Sequence, residues 1–213
     1  MQGSHPAAEP ARVAPRVRWL GRVDYEPTWR AMQRFTEARD AHTADEIWLL
    51  EHPPVYTLGL NADPAHLLDA GGTPVLRVDR GGQVTYHGPG QLVLYPLLDL
   101  RRAQLGIRDL VTALERAVIG LCAGFGIGAQ CRQNAPGVYV DGAKLASVGI
   151  RVRRQGSYHG LAVNVRMDLE PFARINPCGY AGLRMTQLAD LGGPDSVEAA
   201  GEALLPQLLQ RLS

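Results

Sequence analysis

Lysine is almost absent from this sequence. Lys144 is the only one in 213 residues, although Lys and Arg together number 22. Lysine is normally common in soluble proteins, so arginine has replaced it almost everywhere as the source of fixed positive charge. An arginine stays protonated, whereas a lysine amine can give up its proton. The composition therefore favours a titratable amine at position 144, the alternative being one stray lysine without a role.

Cysteine is scarce as well, with only Cys122, Cys131 and Cys178. An odd number of cysteines without a CxxC pair argues against a disulfide framework and against a zinc site, and it fits a reducing compartment. The histidines show no metal-ligand spacing, and no paired carboxylates indicate acid–base hydrolysis. We therefore expect no metal and a cytoplasmic location.

Long apolar runs and strong net charge are also missing. The formal net charge is +1, so nothing global points to nucleic acid or to a membrane surface. No apolar run approaches the ~18 residues of a membrane span, and the N-terminus lacks the apolar core of a signal peptide. We expect a flexible tail over residues 1–14 and a single domain over residues 15–213.

The hydrophobic pattern predicts a mixture of helices and strands. Apolar residues at helical spacing predict helices over 26–42 and 107–126, and a last helix that begins after Asp195 or Ser196. Predicted strands cover 46–52, 55–59, 75–80, 83–87, 91–100, 137–153 and 156–167. Asp141-Gly142 is typical of a tight hairpin turn. Without a strict βαβ rhythm, the fold class is α/β (α+β), with helices packed on a mainly antiparallel mixed sheet.

The segment RGGQVTYHGPGQ (80–91) is the densest motif of the sequence. Its glycines let the backbone approach a ligand closely, and Thr85, Tyr86 and His87 add polar groups. It is neither a Walker loop nor a dinucleotide fingerprint, because no Gly-Lys-Ser/Thr follows and it leads into a strand. A ligand site and a structural glycine-rich hairpin both remain open.

Cys178 lies in the sequence NPCG, a turn-like setting that presents side chains to solvent or to a cleft. A thiol becomes a nucleophile when a nearby cation favours the thiolate, and Lys144 is a candidate cation. The alternatives are an inert loop cysteine and a Cys–His pair with His87 or His159 as the base. His159 and His52 are more simply explained as structural histidines.

Four segments follow one another in the chain: RGGQVTYHGPGQLVLYP, GAKLASVGIRV, HGLAVNV and INPCG. With the upstream LLEHPPVYTLG, they resemble the lipoate–protein ligase B family, the octanoyl-[acyl carrier protein]:protein N-octanoyltransferases. The resemblance spans roughly residues 18–190. It implies a fold similar to the catalytic domains of biotin and lipoate protein ligases.

The resemblance also implies roles for individual residues. Cys178 matches the acyl-accepting nucleophile, and Lys144 matches the amine that favours its thiolate and then accepts a proton. The positions that match substrate-binding segments are Arg80, Gly81, Gly82, Gln83, Val84, Thr85, Tyr86, His87, Ser147, Val148, Gly149, Gly160, Leu161 and Ala162.

The implied reaction moves an octanoyl group from octanoyl-acyl carrier protein to a lysine of a lipoyl domain. The implied acceptors are the lipoyl domains of 2-oxoacid dehydrogenases and the glycine cleavage H protein. A thiolate that attacks a thioester exchanges one thioester for another, so no ATP, metal or other cofactor is expected. The remaining hypotheses are an ATP-dependent lipoate or biotin ligase on the same fold and a non-catalytic module that binds acylated carriers. A Cys–His hydrolase is a further alternative.

Overall fold

The computed structural model describes residues 14–133 and 135–212, apart from the side chain of Cys178. The helices are α1 (Tyr25–Ala38), α2 (Ile107–Gly124) and α3 (Val197–Leu212). The strands are β1 (Arg16–Arg22), β2 (Glu46–Glu51), β3 (Val55–Leu58), β4 (Val75–Arg77), β5 (Val84–His87), β6 (Gln91–Leu97), β7 (Gln130–Cys131), β8 (Gly137–Val140), β9 (Ala143–Arg153) and β10 (Gly156–Asn164).

The strands form two sheets. The larger sheet has seven strands in the order β1-β2-β6-β10-β9-β8-β7, and the smaller one has three in the order β4-β3-β5. Among the strands described, β1 runs parallel to β2 and β4 runs parallel to β3, while the other pairs are antiparallel. The predicted class, helices on a mainly antiparallel mixed sheet, is confirmed.

The large sheet is covered on both faces. Helices α2 and α3 pack on one face, where Leu114 and Leu204 join Leu92 and Leu94 of β6. On the other face α1 packs through apolar side chains such as Met32. Because both faces are covered, every residue of β6 is buried, and its sequence after Gln91 reads as a continuous apolar run instead of an alternating one.

The β8–β9 hairpin places Lys144 at the second position of a strand. Asp141 and Gly142 both have positive φ, of 47° and 81°, which is the backbone that a two-residue hairpin turn requires. The predicted turn is confirmed. The backbone of Lys144 also forms hydrogen bonds with the segment around Met185. Its N–H donates to Arg184 O at 2.8 Å, and its carbonyl accepts from Thr186 N at 3.0 Å.

Three elements differ from the predictions. Helix α1 ends at Ala38 and not at residue 42, because the Asp40 carboxylate accepts hydrogen bonds from the backbone of His42 and Thr43 and closes a turn. Strands β1 and β7 were not predicted. The predicted tail, residues 1–14, lies outside the described residues except for Ala14. In the part of the chain that the structure covers, no helix has the length and apolarity to cross a membrane.

Gly90, in the turn between β5 and β6, offers a test of this packing. Its φ is +82°, and a Cβ there would lie 1.9 Å from the carbonyl oxygen of Arg166. Gly72 has a similar φ of +84° with nothing within 4 Å of a Cβ. We expect Gly72→Ala to cost about 1–2 kcal/mol of unfolding free energy, from backbone strain alone. Gly90→Ala must also move the backbone, and we expect it to cost at least ~2 kcal/mol more in urea denaturation. Equal losses would contradict this account.

Candidate active site

A cavity opens between the two sheets, on the face of the large sheet that carries α1. It contains about 510 Å³ of atom-free space, including the solvent at its mouth. Its lining consists of Tyr25, Arg80, Gly81, Gly82, Gln83, Val84, Thr85, His87, Val93, Tyr95, Lys144, Ser147, Val148, Gly149, His159, Gly160, Leu161 and Ala162. The fold therefore brings three segments that are distant in the sequence to one cavity, together with the lone lysine.

Glycines allow the loop before β5 to lie directly on strand β9. The N–H of Gly81 donates to Ile150 O at 3.2 Å. A Cβ on Gly149 would lie 2.9 Å from Gly81 O, and a Cβ on Gly59 would lie 2.1 Å from Gly82 O. No side chain fits at these contacts, so the glycines set the distance between the loop and the sheet.

Arg80 holds this loop in place through its guanidinium group. The side chain is buried, and its Nε and Nη2 donate to Thr57 Oγ1 at 3.1 and 2.8 Å. Nη2 also donates to Thr57 O at 2.6 Å, and Nη1 donates to Gly81 O at 2.9 Å. A planar fork with several donors makes these bonds together, which a lysine ammonium cannot do in the same geometry.

Asp79, just before this loop, joins three elements through its carboxylate. Oδ1 accepts from Trp29 Nε1 at 2.7 Å and from His159 Nε2 at 2.9 Å. Oδ2 accepts from Tyr158 Oη and from Gln33 Nε2. Burial raises the pKa of this carboxyl, but the hydrogen bonds from His159 and Tyr158 outweigh it, so the pKa lies below its usual value.

The rings of Tyr25, His87 and Tyr95 form one wall of the cavity, and His52 packs against them outside the lining. Tyr25 stacks on His87 with ring centroids 5.4 Å apart and lies 4.8 Å from the ring of His52. His52 donates from Nδ1 to Val23 O at 2.7 Å, and its Nε2 accepts from Tyr95 Oη at 2.8 Å. Both nitrogens of His52 are thus satisfied, as expected of a structural histidine.

Burial keeps three histidines of this region neutral. It lowers the pKa of His52 to about 4, and it lowers the pKa of His87 well below 6.5. Burial also lowers the pKa of His159, although the hydrogen bond to Asp79 opposes it. At neutral pH each ring therefore acts as one donor and one acceptor.

Lys144 is fully buried in the wall of this cavity. Its exposed fraction is 0 %, and its Nζ donates to Pro136 O at 3.0 Å. The Nζ atom also lies 5.5 Å from the ring centroid of Tyr139. A Cβ on Gly137 would lie 2.7 Å from Lys144 Cε, so the glycine provides the space that the lysine stem occupies.

Cys178 belongs to a single helical turn, Pro177–Gly179, and its side chain lies outside the described residues. The backbone of this turn packs against β5, the strand that supplies Thr85 and His87 to the cavity. On the downstream side, Met185 pairs with Lys144. The backbone that carries the cysteine thus packs against β5, and the chain that follows it pairs with the strand of the lone lysine.

The structure separates Tyr86 from the other predicted substrate-binding residues. Its ring points away from the cavity and packs between Tyr56 and Phe172, because neighbouring residues of a strand face opposite sides. Conversely, Tyr25, Val93 and Tyr95 line the cavity and were not predicted. These three lie in unremarkable helix and strand patterns, which carry no signal for a site.

The three neutral histidines predict a pH dependence of stability. Their folded-state pKa values are depressed, so below the unfolded pKa of ~6.5 the unfolded chain binds more protons. We expect the free energy of unfolding to fall as the pH drops from 6.5 toward 4.5, by up to ~1.4 kcal/mol per pH unit for each histidine. Urea titrations between pH 4.5 and 8 measure this slope. His42→Gln, at an exposed histidine, should leave the slope unchanged, and a flat profile in the wild type would contradict the assignment.

Comparisons with known proteins agree with the geometry. Residues 24–209 match the family described as lipoyl protein ligase A/B catalytic domain. An octanoyltransferase of Methylococcus capsulatus is 64% identical over 196 residues, which cover 92% of this chain and 95% of that protein.

Solved structures share the fold at low sequence identity. A bipartite lipoate protein ligase of Thermoplasma acidophilum superposes with a TM-score of 0.74 at 15% identity, covering 94% of this chain and 84% of the other. A biotin protein ligase of Aquifex aeolicus superposes with a TM-score of 0.56 at 15% identity, covering 92% and 70%. The expected similarity of fold to biotin and lipoate ligases is confirmed.

Proposed function

This chain belongs to the lipoyl protein ligase A/B catalytic-domain family, and we propose that within it the chain acts as an octanoyltransferase of protein lipoylation. The observation that carries the proposal is its 64% identity to an octanoyltransferase over nearly the full length of both proteins. The donor is octanoyl-acyl carrier protein, and the acceptor is the lysine of a lipoyl domain. The acyl group passes through a thioester on Cys178.

The cavity suits a short saturated acyl chain. Its lining includes the apolar side chains of Val93 and Ala162, which belong to the cluster on the α1 face of the large sheet. The glycines at 149 and 160 face each other across β9 and β10, so the floor between these side chains is bare backbone. Burial of the chain against this surface contributes ~0.8 kcal/mol per methylene group to binding.

In the first half-reaction the Cys178 thiolate attacks the thioester carbon of the donor. The new C–S bond forms on Sγ, the bond to the phosphopantetheine sulfur breaks, and the departing thiolate takes a proton from the Lys144 ammonium. The reaction exchanges one thioester for another, so it needs no ATP. Backbone N–H groups of the glycine-rich loop are candidates for holding the oxyanion.

In the second half-reaction the neutral ε-amine of the acceptor lysine attacks the acyl-enzyme. The C–N bond forms, the C–S bond breaks with its electron pair on Sγ, and the proton lost by nitrogen passes to Lys144. This step restores the original ammonium and thiolate. An arginine at position 144 would supply the charge but could not take up that proton, which accounts for the single lysine of the chain.

Intact-mass analysis tests the nucleophile, the donor and the acyl group together. We expect wild type mixed with octanoyl-acyl carrier protein to gain one octanoyl adduct that hydroxylamine removes, because thioesters are labile to it. Cys178→Ser should gain none under the same conditions, while Cys131→Ser, at an exposed cysteine, should label like the wild type.

Absence of an adduct on the wild type would contradict the proposal. Transfer that depends strictly on ATP and survives Cys178→Ser would instead indicate a lipoate or biotin ligase. An unmodified protein that binds the acylated carrier without turnover would indicate a binding module.

Lys144→Arg separates the charge of the amine from its ability to exchange a proton. We expect overall transfer to fall by ~100-fold or more, the usual scale for loss of a general acid–base group. Urea denaturation run in parallel shows whether the larger side chain fits beside Gly137. Lys144→Met, which fills a similar volume without charge, is the packing control. Wild-type activity in Lys144→Arg would remove the reason for a lysine at this position.

A further inference from the structure

His87 lines the cavity, and one of its two ring nitrogens has no hydrogen-bond partner among the described residues. The side chain is 5 % exposed and belongs to the cavity lining. Its Nδ1 lies 2.7 Å from Gln91 Oε1, whereas Nε2 is buried and has no hydrogen-bond partner among the described residues. Buried polar atoms of native proteins nearly always have a partner, so Nε2 is placed to bind an atom of a ligand.

The carbonyl groups of Tyr86 and Thr186 determine which of the two ring nitrogens of His87 carries the hydrogen. Gln91 Nε2 lies 3.2 Å from Tyr86 O and 3.0 Å from Asn164 Oδ1, and Asn164 Nδ2 lies 3.0 Å from Thr186 O. A carbonyl oxygen only accepts, so the amide nitrogens must face these carbonyls. Gln91 Oε1 then faces His87, whose Nδ1 must carry the hydrogen, and Nε2 keeps a free lone pair.

The His87 ring is also uncharged at neutral pH. Burial lowers its pKa well below the usual value, and the nearby His52 and Arg80 lower it further. Nε2 is therefore a hydrogen-bond acceptor without a partner among the described residues, on a side chain that belongs to the cavity lining. It needs a substrate that carries an N–H or O–H group.

The two substrates of the proposed reaction differ in whether they carry a hydrogen-bond donor at the reacting group. The octanoyl chain and its thioester carbonyl have no hydrogen to donate, whereas the ε-amine of the acceptor lysine does. That nitrogen gains positive charge as it bonds to the acyl carbon, which strengthens a hydrogen bond to a neutral acceptor. Strand β5, which ends at His87, packs against the turn Pro177–Gly179, so the acceptor atom and the acylated cysteine belong to adjoining elements.

We propose that His87 is a catalytic residue of the second half-reaction, in which its Nε2 accepts a hydrogen bond from the attacking ε-amine. The proposal rests on the function proposed above. His87 holds one N–H of the amine and directs the nitrogen lone pair at the acyl carbon. The nitrogen forms the C–N bond, the C–S bond electrons stay on Sγ of Cys178, and the second proton of the amine passes to Lys144. His87 itself ends the step with the proton it began with.

Single-turnover kinetics on His87→Leu test this role. Octanoyl-acyl carrier protein loads the enzyme, a lipoyl domain is then added, and intact mass follows both steps. We expect aminolysis to slow by about 10- to 100-fold, the value of one hydrogen bond to a group that becomes charged. Formation of the acyl-enzyme should change by less than about threefold, since that step does not involve the amine. His87→Gln, which keeps an oxygen acceptor, should recover part of the aminolysis rate.

His52→Leu is the matched control. His52 lies 5.9 Å from the His87 ring, is equally buried and is not part of the cavity lining. We expect this change to lower stability without altering the ratio of the two rates. The proposal is wrong if His87→Leu slows both steps alike or leaves aminolysis unchanged, or if His52→Leu reproduces the selective loss. Failure of the wild type to form an acyl-enzyme would instead refute the function itself.

Discussion

The carboxylate of Asp79 is the point on which the site depends. It accepts hydrogen bonds from Trp29 and Gln33 of α1 and from Tyr158 and His159 of β10, and it directly precedes Arg80. One short side chain therefore fixes the helix, the central strand and the glycine-rich loop relative to each other. A charged group in this position is stable because four donors compensate for the water it has lost.

Glycines complete what Asp79 and Arg80 begin. The loop at 81–82 touches the backbone of β9 at Gly149, and β10 presents Gly160 beside it. Hydrogen bonds of Asp79 and Arg80 hold these segments together, and the glycines allow their backbones to come into contact because they have no side chain. The cavity results from this balance, because the apolar side chains of neighbouring strands stand around a floor of bare backbone.

The sequence predicted the helices and strands better than it predicted the tertiary contacts between them. Helix α2, the hairpin at Asp141-Gly142 and the central strands follow from periodicity and turn chemistry, which are local. Strand β1 was not predicted, because an exposed, arginine-rich edge strand gains its stability from pairing with β2, which is a long-range contact. The glycine-rich segment 80–91 was recognised from the sequence as a candidate ligand site.

The sequence did not show which residues of this motif face the cavity. The register of the short strand β5 decides that His87 points inward and Tyr86 outward. Tyr25 and Tyr95 reach the cavity only through tertiary packing, and no local pattern marks them. The pairing of Cys178 with Lys144 came from a family resemblance and not from spacing, and it remains a prediction.

The backbone pairing of Lys144 with Met185 has a consequence for the motion of the site. Residues 180–184 are all that separate the turn of Cys178 from this pairing, and upstream the N–H of Asn176 donates to His66 O at 2.8 Å. The segment that carries the cysteine is thus anchored a few residues away on both sides. Closing so short a loop costs little entropy and leaves little freedom. In the proposed reaction, an acceptor protein that contacts this surface therefore meets a cysteine-bearing segment whose backbone is held on both sides.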